Sequence, residues 1–484
     1  MTDIFQRIAS GGFWLFLLSW ASCKKAETDY KCYPDEVEEI IVNTCAVSGC
    51  HNESSYEAAG GLNLSSWETL FGGGNNSAAV IPYRADQSPL MFFINTDSTA
   101  GPVLKPTMPF ERTPLSDEQV ATIRNWIEQG APNCEGFVKF SDNPDRKKIY
   151  VPNQGCDLVA VLDFESRLVM RYIDVGAAPQ IESPHSLRLS PDGRYWFVCF
   201  TSGAVFQKFK TEDDSFAGEA AIGQGAWNMF AITSDSRHAF VVDFTADGAI
   251  AYVDLATMTM LNRYEGLLAS PHGCALKDDN TLYVTAQFGN FIYKLDITNR
   301  DDPAVEMIPL QPGVAPSTVS KHDAHEIAFS PDKSEYLVTC QKTNEVRFFD
   351  AATDSLIAVV ATGEFPQEIA YSASTDYVFI SCPEDDATFP GVIGSVAVID
   401  YRTHTLVKSV NVGFQPHGIA VDDASGLVLV ANRNVNPNGP APHHTSACGG
   451  RNGYLTIINM NTLELIPGYR AELSVDPYFV AVRD

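Results

Sequence analysis

A chain of 484 residues exceeds what one typical core accommodates, so two or more domains are expected. With 45% hydrophobic and 19% charged residues and 34 glycines, the composition is that of a folded protein leaning toward β structure and turns. The formal charge of −27 argues against nucleic acid or an anionic membrane surface as partner, and permits docking to a basic one.

In chain order, Arg7 precedes an apolar run over 13–20 that is too short to span a bilayer. Ala21 and Ser22 then stand directly before Cys23. The pattern predicts an export signal over 1–22 and a polar tether over 23–31. It resembles a bacterial lipobox, with Trp20 where Leu is usual. That resemblance implies lipidation of Cys23, a membrane bond through this lipid alone, and a place in the periplasm or on the outer membrane or cell surface. Export puts the remaining cysteines in an oxidising compartment. Cys32 and Cys134 bracket 33–133, which suggests a disulfide clasp. Cys156, Cys199, Cys274, Cys340 and Cys382 fall mostly in strand-like segments, where small buried thiols are expected.

Residues 32–134 carry three features. Cys45 and Cys50 are followed by His51, and two close thiols with an adjacent imidazole can hold a haem by thioethers and a proximal nitrogen. Four residues separate the cysteines, where two are common. A zinc site is an alternative, although no second Cys/His pair follows at finger-like distance, and a Cys45–Cys50 disulfide is another. Met108 sits in a Pro-flanked loop that can present a thioether. From Ser116 to Gly130, an N-cap with Gln119 at the capping-box position precedes Val120, Ile123, Trp126 and Ile127 on one face, predicting a helix stopped by Gly130. In this order the motifs resemble a class I cytochrome c. The resemblance implies a small all-α domain with one covalent haem c on Cys45 and Cys50, His51 proximal and Met108 distal.

Residues 145–484 repeat. Inner strands are predicted to start around His185, Asn228, His272, His325, Gln367, His417 and Tyr478, at intervals of 42 to 61 residues. Residues 148–176 supply three outer strands of a blade whose inner strand would be 479–482, a closure that removes open sheet edges. The region resembles the YVTN-type repeat, which implies an all-β seven-bladed propeller.

The seven starts should ring one mouth of the central channel, so that His185, His272, His325 and His417 converge with Asn228, Gln367 and Tyr478. Two within-blade insertions, 383–394 and 433–452, emerge on the same face, the second carrying His443, His444 and Cys448. Clustered imidazoles suit copper or another transition metal. The arrangement is similar to the histidine-ringed propeller of nitrous oxide reductase, although Asn, Gln and Tyr interrupt the ring. The bland alternative is a polar lining that holds water. His238 and His404 are expected to be structural.

The expected function is haem-based electron transfer, with a redox partner protein or small-molecule substrate on the propeller. If the ring holds a metal, the protein would be an oxidoreductase. The alternative is a surface lipoprotein binding module in which the haem is accessory. No nucleophile triad, phosphate loop or carboxylate pair stands out, so hydrolase and kinase readings find no support.

Overall fold

Short runs of β-branched and aromatic residues, most of them six residues long, alternate with Asp-, Ser- and Gly-containing turns and pair antiparallel into seven sheets. The computed structural model describes residues 32–75, 77–434 and 453–483. The sheets form the seven blades of a propeller. Blade 1 joins strands Lys148–Asn153, Leu158–Asp163 and Val169–Asp174 to the inner strand Ala481–Arg483. Blades 2 to 7 begin at Pro184–Leu189, Trp227–Ile232, Pro271–Asp278, Ala324–Phe329, Ile369–Tyr371 and Pro416–Asp422.

Closure pairs Tyr150 with Ala481, Ile149 with Val482 and Lys148 with Arg483. The closing strand starts two residues later than the expected 479. Pro477 forms only an isolated bridge to Asn153, so the ladder resumes beyond Tyr478 and Phe479. A buried ion pair locks blade 1 to blade 2: Lys148 Nζ lies 2.8 Å from Asp214, which also accepts from the Tyr150 hydroxyl at 3.0 Å.

The turns repeat one device. Asp254 and Asp350 each accept the N–H groups two and three residues on, together with the hydroxyl of Thr257 or Thr353. Such Asx turns let a short hairpin leave the sheet with its polar groups satisfied.

Before the propeller, four α-helices among the described residues, α1 (Asp35–Thr44), α2 (Trp67–Leu70), α3 (Pro89–Ile94) and α4 (Asp117–Glu128), enclose a small core. Helix α4 begins with the expected capping box: Ser116 Oγ accepts from Gln119 N at 3.2 Å, and Gln119 accepts from Ser116 N at 3.0 Å. Trp67 and Trp126 are buried and donate their indole N–H to Ala131 O and Pro132 O, each at 2.8 Å. Cys32 and Cys134 are disulfide-bonded across 102 residues of chain.

The helices rest on the outer strand of blade 1. Arg84 reaches Asp174 at 3.1 Å and Tyr172 O at 3.2 Å, and Phe71 and Phe140 join a core cluster that continues into Met170 and Val175. Cys199, Cys274, Cys340 and Cys382 are buried free thiols. Cys156 departs from that expectation: it lies in the turn between two strands of blade 1 and is disulfide-bonded. No helix of the described residues is long and apolar enough to cross a membrane.

Candidate functional site

The inner strands share an entry. The residue two before the ring position is left-handed in six of seven blades: Ser183, Ser270, Asp323, Phe365, Gln415 and Asp476, with φ from 46° to 61°. This costs about 1–2 kcal/mol per non-glycine residue, so it persists only where the surroundings impose it. A register shift follows in blades 2, 4, 5 and 7, between Pro184 and Leu187, Pro271 and Cys274, Ala324 and Ile327, and Pro416 and Ile419. Such bulges take the ring residue and its successor out of the ladder and re-aim both.

Second-strand hydroxyls satisfy the freed N–H groups. Thr285 accepts from Gly273 N at 2.8 Å and donates to His325 O at 2.8 Å. Thr339 accepts from Glu326 N at 2.9 Å and donates to Gln367 O at 3.0 Å, tying each blade to the next.

All seven ring residues are buried. Five of their rings close a circuit: His185–His272 at 6.2 Å, His272–His325 at 3.9 Å, His325–His417 at 6.3 Å, His417–Tyr478 at 3.7 Å and Tyr478–His185 at 4.3 Å. Asn228 and Gln367 are buried beside them. Burial pushes the imidazoles of His185, His325 and His417 well below the usual histidine range and that of His272 down to about 3. Neutral imidazoles keep a lone pair.

Hydrogen bonds fix several rings. His417 Nδ1 meets Tyr478 O at 2.9 Å, His272 Nδ1 meets His325 O at 3.2 Å and His185 Nδ1 meets Gln154 Nε2 at 2.9 Å. Arg433 grips Asp476 at 2.6 and 3.1 Å and lies 4.8 Å above the Tyr478 ring. Both nitrogens of His325, and Nε2 of His417, have no hydrogen-bond partner among the described residues.

The tier behind the ring escaped the sequence reading. Glu326 and Glu368 are buried on neighbouring blades, one residue past His325 and Gln367, and burial pushes both carboxyls up. This is a carboxylate pair where none was expected. A strand's alternation sends the successor of an axial residue away from the axis, whereas here the bulge in blade 5 frees Glu326 and the late ladder start at Ile369 frees Glu368. Space for the first comes from Gly273, where a Cβ would stand 2.7 Å from Glu326 Cα and 2.9 Å from its Oε1. A cavity of about 500 Å³ opens from the other end of the channel onto Arg188, Glu326, Glu368, Ile327, Ile369 and Phe479.

Among the described residues, two trios of ligand-type side chains bring their ligand atoms within 4.8 Å of one another: His325, Glu368 and His417, and His322, Cys340 and Glu345. In the second, Arg347 already engages Glu345 at 2.6 and 2.9 Å. His322 was not singled out from the sequence. His404 meets Glu335 at 2.9 Å and His238 packs on Tyr252, both structural contacts. His443, His444 and Cys23 lie outside the described residues. Loop 383–394 does reach the ring face, where Ile393 O accepts from Gln415 N at 2.7 Å.

In the helical part, Cys45 caps α1, and His51 N donates back to Cys45 O at 3.1 Å. Cys45 and Cys50 are free and half-buried, and burial pushes the Cys45 thiol up. His51 Nδ1 is 3.1 Å from Leu62 O, so Nε2 is the nitrogen left over. Met108, anchored by its N–H on Phe93 O at 2.8 Å, packs on the same core cluster as Cys45 and Leu62.

No family model and no curated protein matches the chain. Solved structures do. A functionally unknown protein from Desulfotomaculum acetoxidans aligns over 69% of this chain and 98% of its own, at TM-score 0.52 and 13% identity. The likeness is one of fold. Hydrazine synthase from Kuenenia stuttgartiensis aligns over 59% of this chain and 79% of its own, at TM-score 0.45 and 18% identity, too distant to inform the chemistry.

Proposed function

We propose that this is an exported haem c electron-transfer protein whose propeller axis binds a redox partner, a metal centre or a substrate. One observation carries the reading: Cys45, Cys50 and His51 stand together with His51 Nδ1 held by Leu62 O and Met108 on the same core. Two free thiols, an imidazole oriented through its second nitrogen, and a thioether make a donor set that fits a covalently attached haem. When bound, haem supplies one-electron redox chemistry. Within the chain, Leu62 sets the His51 ring, while the clasp Cys32–Cys134 and the packing of α1 on α4 hold the thiols on a fixed frame. Cys23 is the lipid attachment point in this reading, and the acidic surface favours a basic partner.

The purified full chain is expected to show a reduced-minus-oxidised α-band and covalent haem on denaturing gels. Replacing Cys45 and Cys50 by Ser should abolish both. Met108→Ala should keep the haem and lower its potential. A wild-type chain without haem, made in a host that attaches it, defeats the reading.

A binding module is the second reading, favoured by a groove of about 810 Å³ whose lining includes the exposed Leu267 and Met307. A haem-free protein that retains a partner lost on Met307→Asp would support it.

A further inference from the structure

At the propeller axis unpartnered atoms recur on Ser186, Asn228, Glu326 and Gln367 as well as on the imidazoles, and one group of ligand-type side chains draws together. His325 has two bare nitrogens and His417 one, and one ligand atom from each of these imidazoles and from Glu368 lie within 4.8 Å of one another, all three residues being at most 5% exposed. Buried polar atoms are ordinarily paired, so an imidazole nitrogen from each of His325 and His417 lying beside one carboxylate calls for a common partner. A cation with an affinity for neutral nitrogen would serve both imidazoles and, in binding, displace the proton of the Glu368 carboxyl that burial otherwise pushes up.

We infer that His325, His417 and Glu368 bind one divalent first-row transition-metal ion. The site rests on the propeller axis named in the functional reading and is independent of the haem. His417 already has the hydrogen bond that metal-binding imidazoles make through their other nitrogen: Tyr478 O holds Nδ1 at 2.9 Å, leaving Nε2 as the donor. An ion with bonds of about 2.0–2.2 Å keeps its ligand atoms roughly 3–4 Å apart, so modest side-chain rotation closes the set.

Two imidazoles and one carboxylate leave coordination positions open. Glu326, beside Glu368 and at the end of the cavity of about 500 Å³, is placed to accept a hydrogen bond from a small ligand on them. Entry runs through that cavity. The opposite mouth is covered by the aromatic circuit, the Arg433–Asp476 pair and loop 383–394. His185 and His272 are wall and not ligands, because their nitrogens fall outside the trio whose ligand atoms lie within 4.8 Å of one another.

The test uses the full chain carrying Cys45→Ser and Cys50→Ser, whose visible spectrum is clear of haem. Stripped with chelator and titrated with Co²⁺, it should bind one equivalent, with ligand-field bands and a matching calorimetric stoichiometry. Glu368→Gln and His417→Gln should each weaken binding by about a hundredfold or more, while His185→Gln stays within about threefold. Near-UV dichroism checks that each variant is folded, and His325→Asn serves if one is not. Absence of tight Co²⁺ binding in the parent overturns the inference, as does equal weakening by His185→Gln. Loss of haem from the unmodified chain with Co²⁺ binding intact counts against the haem reading alone.

Discussion

In the helical part, Cys45, Cys50 and His51 meet because they follow one another around the end of α1. In the propeller, His325 and His417 come from blades 5 and 7, with Glu368 from the blade between, and meet only because seven sheets surround one axis. The first cluster is local and survives as long as one helix end and one loop stay folded. The second belongs to the closed circle as a whole. Local unfolding free energies are expected to differ accordingly, one region opening while the other remains protected.

That comparison can be broken by hydrogen exchange read separately over 35–128 and over the blades. The largest effect is expected from Asp214→Ala, which strands Lys148 as a buried charge between blades 1 and 2. It should cost about 3–5 kcal/mol and release protection across the blades before the helices. Cys134→Ser removes the clasp over the helical part and should cost about 2–4 kcal/mol, with protection lost first in α1 and α4. If both variants release both regions together, the core shared through Phe71, Phe140 and Met170 makes them one cooperative unit and the comparison fails.

Gly418→Ala sharpens it on the axis, because the new Cβ would lie 2.5 Å from Phe479 Cα. Overpacking of about 1–3 kcal/mol is expected, with a changed near-UV signal from Tyr478 and no change in the helices.

Acid should act most weakly. Asp254, held by the Thr257 N–H, and Asp332 and Asp350, held by the Ser334 and Thr353 hydroxyls, have carboxyls below the usual range. A depressed folded pKa means the stability is present above about pH 4 and is lost as pH falls through the folded value. Melting points measured from pH 5 to 2 should therefore decline gradually, and Asp332→Asn should flatten part of that decline.

Much of this was legible. Seven inner-strand starts stood out because a Pro or small residue precedes the polar ring residue in six blades, with Trp227 there in blade 3, and Ser116 with Gln119 marked α4. The second tier at the axis did not stand out, because pure alternation turns Glu326 and Glu368 outward. Only the left-handed entries and the interrupted ladders bring them in. A signal was present: the residues after the ring positions read Ser186, Met229, Gly273, Glu326, Glu368, Gly418 and Phe479, with glycine where a neighbouring chain must pass closely. Cys156 looked like another strand thiol because a turn at 154–157 shortens the segment by little.

The segment 477–483 shuts blade 1, holds His417 through Tyr478 O and completes the circuit of rings. It is also translated after every strand it completes. Through synthesis of the intervening blades, Lys148–Asn153 waits with an unpaired edge and the axis lies open along one side. Shutting this mouth of the axis is thus a late event, and the cavity at the other end remains its open side.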